Sequence, residues 1–161
     1  MSWSLMVFIG LNFVAALSGA IFKPDAWFRQ LQKPSWQPPD WAFPLAWTFL
    51  YGANAFSGWL VWKSAGFSSI GLAAMALYAF SLMVNASWSA VFFGAKRLGG
   101  AIISAALLWL TVAAQLALFW PINRAAALMI IPYLAWVTVA TLLSRSIWQL
   151  NPDQRTPAQA A

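Results

Sequence analysis

The sequence predicts an all-α membrane protein: a bundle of five transmembrane helices with a long ordered loop between helices 1 and 2. Two observations lead to this prediction. Of the 161 residues, 62% are hydrophobic and only 7% are charged, whereas about a quarter of the residues in a soluble domain are charged. The chain also contains five apolar stretches, each close to the length of about 20 residues with which a helix crosses the bilayer core.

The five predicted spans form one domain, residues 1–150, and cover about residues 3–22, 41–62, 69–93, 98–120 and 123–148. The first stretch ends in small residues, as a signal peptide does, but no Lys or Arg precedes it, so a span is favoured. Asp40 is expected to cap the second span, and Pro121 to close the fourth. Residues 151–161 are expected to be a flexible polar tail.

The basic residues are distributed unequally between the two sides of such a bundle. The side with the first loop, the third loop and the C-terminus has seven of the nine: Lys23, Arg29, Lys33, Lys96, Arg97, Arg145 and Arg155. The other side has Lys63 and Arg124. This bias predicts a multi-pass protein with a cytoplasmic C-terminus if it lies in an inner membrane; an outer membrane is the alternative.

The missing residue types exclude several kinds of chemistry. The chain has no Cys and no His, which argues against disulfides, ordinary zinc sites and Ser-His triads, and we expect no metal site and no required cofactor. The basic residues are scattered singly, so nucleic acid is not an expected partner. Because the spans contain no Asp or Glu, ion-coupled transport is disfavoured.

The connection from Lys23 to Asp40 has the most unusual composition. It contains four prolines and, with its flanks, three tryptophans: Trp27, Trp36 and Trp41. A connection of this length is uncommon unless it covers or forms a site, and its prolines favour an ordered lid. The alternative for these tryptophans is an aromatic belt at the membrane interface.

Helical spacing places aromatic, amide and small residues on common faces of three spans. These faces contain Trp47, Tyr51, Asn54 and Gly58; Tyr78, Ser81, Asn85, Trp88 and Phe92; and Tyr133, Trp136, Ala140 and Leu143. Such a face can line a ligand cavity, or it can be a helix–helix contact in which small residues pack and Asn bonds across helices. Spacing alone does not decide between the two.

Several motifs resemble one known family. The run from Lys33 to Tyr51, KPSWQPPDWAFPLAWTFLY, resembles the signature of the translocator protein family, also called tryptophan-rich sensory proteins or peripheral-type benzodiazepine receptors. Further matches are Lys23–Trp27, Asn85–Trp88, Phe92–Gly94 and Pro132–Trp136. The Lys96-Arg97 pair and the lack of an extended hydrophilic domain resemble bacterial members.

The resemblance implies a homodimer of five-helix bundles, each with a lidded cavity for porphyrins such as protoporphyrin IX and for isoquinoline or benzodiazepine ligands. By motif position, Trp47, Asn85, Trp136 and Ala140 would line the cavity, with Trp36 in the lid. The family also implies a role in tetrapyrrole transport or stress regulation. Membrane lipid is a further partner, and sterol an alternative, although no Tyr here is followed within five residues by the Lys or Arg of the sterol consensus.

The chemistry of a free-base porphyrin fits these residues. Its flat π-system needs aromatic walls, which Trp36, Trp47, Trp88 and Trp136 could supply beside Tyr51 and Asn85. Its two carboxylates need basic partners, for which Lys23, Arg29 and Lys33 are the candidates. Haem held by stacking alone remains open.

The sequence is compatible with three functions. The first is a receptor or carrier for porphyrin, and the second is an enzyme that degrades porphyrin in light, for which Trp47 and Trp136 are the catalytic candidates. The third is a structural protein in which the aromatic residues only pack and anchor.

Overall fold

The computed structural model describes residues 3–154, which form helices and connections and contain no strand. The six α-helices are α1 Trp3–Ile21, α2 Ala26–Gln30, α3 Ala42–Ala65, α4 Ser69–Ser89, α5 Leu98–Ile122 and α6 Arg124–Leu150. A π-helical turn, Ala90–Gly94, continues α4, and a 3₁₀ turn, Pro152–Gln154, follows α6. Helix α3 lies among α1, α4 and α6, while α5 packs on α4 and α6.

In the described residues, four helices are long and apolar enough to cross a bilayer: Trp3–Ile21, Ser69–Gly94, Leu98–Ile122 and Arg124–Leu150. Helix α3 has 24 residues, but Asn54, its small residues and its Trp and Tyr side chains make it less apolar than these four. The all-α membrane class is therefore confirmed. The count of five crossing helices is not, since α3 does not qualify on composition.

Three expectations at the ends of helices are corrected by the structure. Helix α3 begins after Trp41 and has no side-chain cap, so the predicted cap at Asp40 is wrong. Pro121 lies inside the last turn of α5, which ends at Ile122, because a proline near a helix end displaces few hydrogen bonds. The predicted flexible tail begins with an ordered segment, Asn151–Gln154, which makes hydrogen bonds to the first loop; residues 155–161 lie outside the described residues.

Buried amide side chains connect four helices through the middle of the bundle. Gln115 of α5 donates to Asn54 Oδ1 at 2.9 Å, and Asn54 of α3 donates to Asn12 Oδ1 at 2.9 Å. Asn12 of α1 in turn donates to the hydroxyl of Tyr78 on α4. Each amide in hydrocarbon needs a partner because no water can supply one. The chain of bonds therefore favours one relative rotation of α1, α3, α4 and α5.

Gly58 allows the Tyr78 ring to lie directly against α3. A Cβ atom at position 58 would be 2.6 Å from Cε2 of Tyr78 and 3.0 Å from Cδ1 of Phe8. The Phe8 and Tyr78 rings pack edge to face, with centroids 5.5 Å apart, so neither ring can move away freely. The close approach that brings Tyr78 within reach of Asn12 therefore depends on glycine.

We predict that Gly58→Ala destabilises the bundle by about 1–3 kcal/mol, since overpacking displaces the Tyr78 ring from its partner. Gly52→Ala on the same helix is the matched control, because nothing lies within 4 Å of its added Cβ. A helical Gly→Ala exchange without a clash stabilises by up to about 1 kcal/mol. Thermal unfolding in detergent, followed by circular dichroism, measures both changes, and equal midpoints for the two variants would contradict the prediction.

Candidate functional site: an aromatic–amide cluster and its lid

Side chains from α3, α4 and α6 meet around Asn85. The Tyr51 hydroxyl donates to Asn85 Oδ1 at 3.2 Å, and Asn85 Nδ2 donates to the Tyr133 hydroxyl. The Trp47 ring lies against both phenols, with centroids 5.6 Å from Tyr51 and 6.2 Å from Tyr133. We call Trp47, Tyr51, Asn85 and Tyr133 the aromatic–amide cluster.

Trp136 lies beside this cluster, one helical turn after Tyr133. Its ring packs edge to face on Phe43, with centroids 5.6 Å apart, and Phe43 lies one turn before Trp47. Its indole Nε1 is buried and has no acceptor among the described residues. A buried donor without a partner loses the hydrogen bond it makes in water, so this N–H favours a ligand that brings an acceptor.

A second group of rings joins the end of α4 to the lid. Trp88 packs on Phe92 and Phe93 of the π-helical turn, at 5.5 and 5.9 Å between centroids. Phe28 of α2 packs on the same two rings at 5.8 and 5.3 Å. The indole Nε1 of Trp88 is buried and has no acceptor among the described residues, as is also true of Trp136.

The first loop is held against the end of the bundle by segments far away in the chain. Asn151 pairs with the backbone of Gln32 through two hydrogen bonds, each 2.9 Å long. Trp27 Nε1 donates to Gln154 Oε1 at 3.2 Å. The first loop, residues 22–41, is therefore an ordered lid fastened by the segment that follows α6.

An ion pair adds a third attachment. Asp25 caps α2 by accepting from the Phe28 N–H at 3.1 Å, and it pairs with Lys96 Nζ at 2.9 Å. The hydrogen bond from Lys96, followed by the bond from Phe28, lowers the pKa of the Asp25 carboxyl below its usual range. Lys96 has a φ of 54° and also lies over the Trp27 ring at 5.7 Å.

The structure brings the predicted cavity residues Trp47, Tyr51 and Asn85 together and places Trp136 beside them. Trp88 lies in the second group of rings, with Phe92, Phe93 and Phe28. Ala140 is half-buried one turn beyond Trp136, and its carbonyl accepts the Ser144 hydroxyl at 2.8 Å.

The other predicted site residues lie on the lid. The Trp36 side chain is 49% exposed, and no other described ring packs on it. Lys23 and Arg29 are exposed. Lys33 Nζ donates to the Arg29 carbonyl at 3.3 Å and lies 4.7 Å from the centre of the Phe28 ring, so it faces the lid itself.

Tyr133, Phe43 and Asn151 were not among the predicted site residues. Tyr133 was on the predicted face of α6, and its partner Asn85 lies on another helix, which spacing cannot show. Phe43 lies four residues before Trp47, and extending the face of α3 by one turn would have included it. Asn151 has no comparable signal, since a polar residue after a helix is ordinary.

Two apolar grooves lie side by side on the outer surface between α3 and α6. The larger, about 570 Å³, is lined by Thr48, Phe49, Gly52, Ala53, Leu128, Met129 and Pro132. The smaller, about 350 Å³, is lined by Ala46, Phe49, Leu50, Pro132, Ala135, Trp136 and Val139. Trp136 therefore borders both a groove and the aromatic–amide cluster.

Long apolar helices whose amide side chains bond to one another inside the bundle define an integral, multi-pass helical membrane protein. Similarity to known proteins narrows this class to one family. The chain belongs to the TspO/MBR family, whose model matches residues 5–149, as the resemblance of its motifs indicated.

Three relatives illustrate the range of the family. Protein CrtK of Rhodobacter capsulatus is 43% identical over 141 residues, 88% of each chain. The tryptophan-rich sensory protein of Cereibacter sphaeroides is 39% identical over 124 residues, 76% of each chain. The human translocator protein is 34% identical over 149 residues, 92% of this chain and 85% of that protein.

We predict that Lys96→Gln loosens the lid, because it removes the ion pair with Asp25 and the contact of the ammonium group with Trp27. Amide hydrogen exchange of residues 26–32 should become faster, whereas Arg97→Gln, in the same connection, should leave it unchanged. In the unaltered protein the pair stabilises the lid above the ordinary Asp pKa of about 3.9, and this stabilisation is lost as the pH falls through the lowered pKa of Asp25. Equal exchange in Lys96→Gln and Arg97→Gln would contradict this role.

Proposed function

We propose that this protein is a membrane receptor or carrier that binds porphyrins and related planar hydrophobic molecules at the aromatic–amide cluster beneath the lid. The observation that carries the proposal is the meeting of Trp47, Tyr51, Asn85 and Tyr133 from three helices, next to Trp136. Aromatic faces supply stacking surfaces for a macrocycle, and a few polar groups among them fix its orientation.

The unpaired donors support a ligand with polar edges. Trp136 and Trp88 each present a buried indole N–H that has no acceptor among residues 3–154. A porphyrin carries carboxylates at its edge that accept such hydrogen bonds. The names of the relatives, a translocator protein and a tryptophan-rich sensory protein, agree with transport or sensing.

Five crossings of the membrane are part of this proposal. The lid contacts both the connection after the π-helical turn, at Lys96, and the segment after α6, at Asn151, so these three parts lie at one end of the bundle. Helix α4 with its turn returns the chain to that end. Helix α3 must then carry it to the opposite end, and its 24 residues span about 36 Å, enough for the hydrocarbon core.

Of the eight basic residues in the described part of the chain, six lie at the lid end, so we propose that this end faces the cytoplasm of a cell whose inner membrane holds the protein. The homodimer and any bound lipid or sterol stay predictions.

To test the site, we predict that Trp47→Phe and Trp136→Phe each weaken protoporphyrin IX binding about three- to tenfold, since each loses stacking area and an indole N–H. Trp120→Phe is the control: its side chain is 47% exposed, and it lies near the end of α5 opposite the lid. Titration in detergent is followed by the absorbance of the porphyrin, which does not depend on the number of tryptophans.

Unchanged affinity in both Trp47→Phe and Trp136→Phe, when both variants are folded, would exclude this site. Illuminating the same complex tests the degradation alternative, which an absorbing product above the protein-free control would support.

To test the orientation, we predict that a membrane-impermeant maleimide does not label Asp153→Cys in intact cells but labels Phe67→Cys. Both positions are exposed and lie at opposite ends of the bundle, and the chain has no other Cys. Both should react after the cells are opened. Labelling of Asp153→Cys from outside an inner membrane would reverse the proposed orientation.

A further inference from the structure

The lid and the α3–α6 seam differ in how firmly they are closed. The lid is held by the Asn151–Gln32 pair, the Trp27–Gln154 bond and the Asp25–Lys96 ion pair. Phe28 and Leu31 fill the space beneath it, packed in one apolar cluster with Phe92. Access from the water side therefore requires several of these contacts to break.

The seam between α3 and α6 is fastened by hydrogen bonds only in the half of the bundle far from the lid. There Ser57 Oγ donates to the Ala126 carbonyl at 2.8 Å, and Asn123 Nδ2 donates to Ser64 Oγ at 3.0 Å. Toward the lid, no hydrogen bond joins residues 42–54 of α3 to residues 128–147 of α6. In this half, Trp47 packs on Tyr133 and Phe43 packs on Trp136, and Asn85 of α4 bridges Tyr51 and Tyr133.

The two grooves lie along this weakly joined half of the seam and are open to the lipid-facing surface. Phe49 and Leu128, at their edges, are 61% and 51% exposed. Both grooves share Phe49 and Pro132, and Trp136 lines the smaller one. Their volumes, about 570 and 350 Å³, fall within the range of sites for small molecules.

Pro132 makes this half of α6 easier to bend. A proline supplies no N–H to the carbonyl four residues earlier, here that of Leu128, and membrane helices bend at such positions. The bend lies between the half of the seam with direct α3–α6 hydrogen bonds and the half held by ring contacts and by the bonds of Tyr51 and Tyr133 to Asn85. Movement of α6 about Pro132 would separate Trp136 from Phe43 and leave the Ser57–Ala126 bond in place.

We propose that the α3–α6 seam is a lateral portal through which a planar hydrophobic macrocycle passes between the bilayer and the aromatic–amide cluster. The macrocycle first occupies the two grooves, whose lining is almost wholly apolar, and then slides past Phe49 and Pro132 onto Trp136. This inference rests on the proposed function and adds the route to it. Phe43 and Trp136 form the inner gate, Pro132 is the hinge, and the Ser57–Ala126 bond holds the part of α6 that stays in place.

The portal predicts a kinetic change without a change in affinity, because an obstacle on a route alters both directions of exchange equally. We test it with Gly52→Leu and Ala135→Leu, which fill the larger and the smaller groove. A Cβ at position 52 meets nothing within 4 Å, so the leucine extends into the groove without displacing the bundle. Gly10→Leu and Gly19→Leu on α1 are matched controls, since the Cβ of each is equally unobstructed.

The full chain in phosphatidylcholine vesicles is mixed with vesicles that contain protoporphyrin IX, and uptake and release are followed by quenching of tryptophan emission. Gly52→Leu and Ala135→Leu should lower the association and dissociation rates together, by about tenfold, and leave the Kd within about twofold of the unaltered protein. The α1 variants should match the unaltered protein. Normal rates in both groove variants would overturn the portal.

A reversible crosslink gives a second test that does not depend on filling a groove. Ala46→Cys and Val139→Cys place thiols on opposite walls of the smaller groove, in a chain without other Cys. A bis-methanethiosulfonate linker across them should stop exchange, and reductant should restore it. Exchange that continues in the crosslinked protein would also overturn the portal. Failure of the proposed function is different: the unaltered protein would then show no saturable binding of porphyrin.

Discussion

The buried bonds from Gln115 through Asn54 and Asn12 to Tyr78 are the constraint on which the rest of the bundle depends. An amide in the hydrocarbon core can be satisfied only by other protein groups, so these bonds select one rotation for each of the four helices. On α3, Tyr51 and Trp47 share the face of Asn54. Once Asn54 points to Asn12, the two aromatic side chains also point inward, toward Asn85 and Tyr133.

The hydrogen bonds divide the bundle into two halves of different character. The amide chain crosses the middle of the bundle and the direct bonds from α3 to α6 lie in the half away from the lid, while the half near the lid has the aromatic rings and the bonds to Asn85. Ring contacts are less directional than hydrogen bonds and can re-form in offset or edge-to-face arrangements. A site built in the second half can admit a large planar ligand while the first half keeps the helices in register.

The sequence predicted the all-α membrane class because long apolar stretches have few other uses, and it placed Trp47, Tyr51 and Asn85 on inward faces because helical periodicity is regular. It did not show that Asn85 bonds to Tyr51 and Tyr133, since spacing contains no information on which helices are neighbours. The attachment of Asn151 to Gln32 could not be predicted from the sequence either, because neither residue type is unusual at its position. The expected Asp40 cap failed because residue type favours a cap without fixing where the preceding loop places its side chain.

The pairing of Asn151 with Gln32 joins residues that are 119 positions apart. During synthesis, the first loop leaves the ribosome long before the residue that fastens it exists, as chains emerge from the N-terminus onward. The growing protein therefore has α1, α3, α4 and α5 available for packing while the loop is still unfastened at this point. The ion pair of Asp25 with Lys96 can form earlier, so the lid is attached in two stages, and the second waits until α6 and Asn151 have been made.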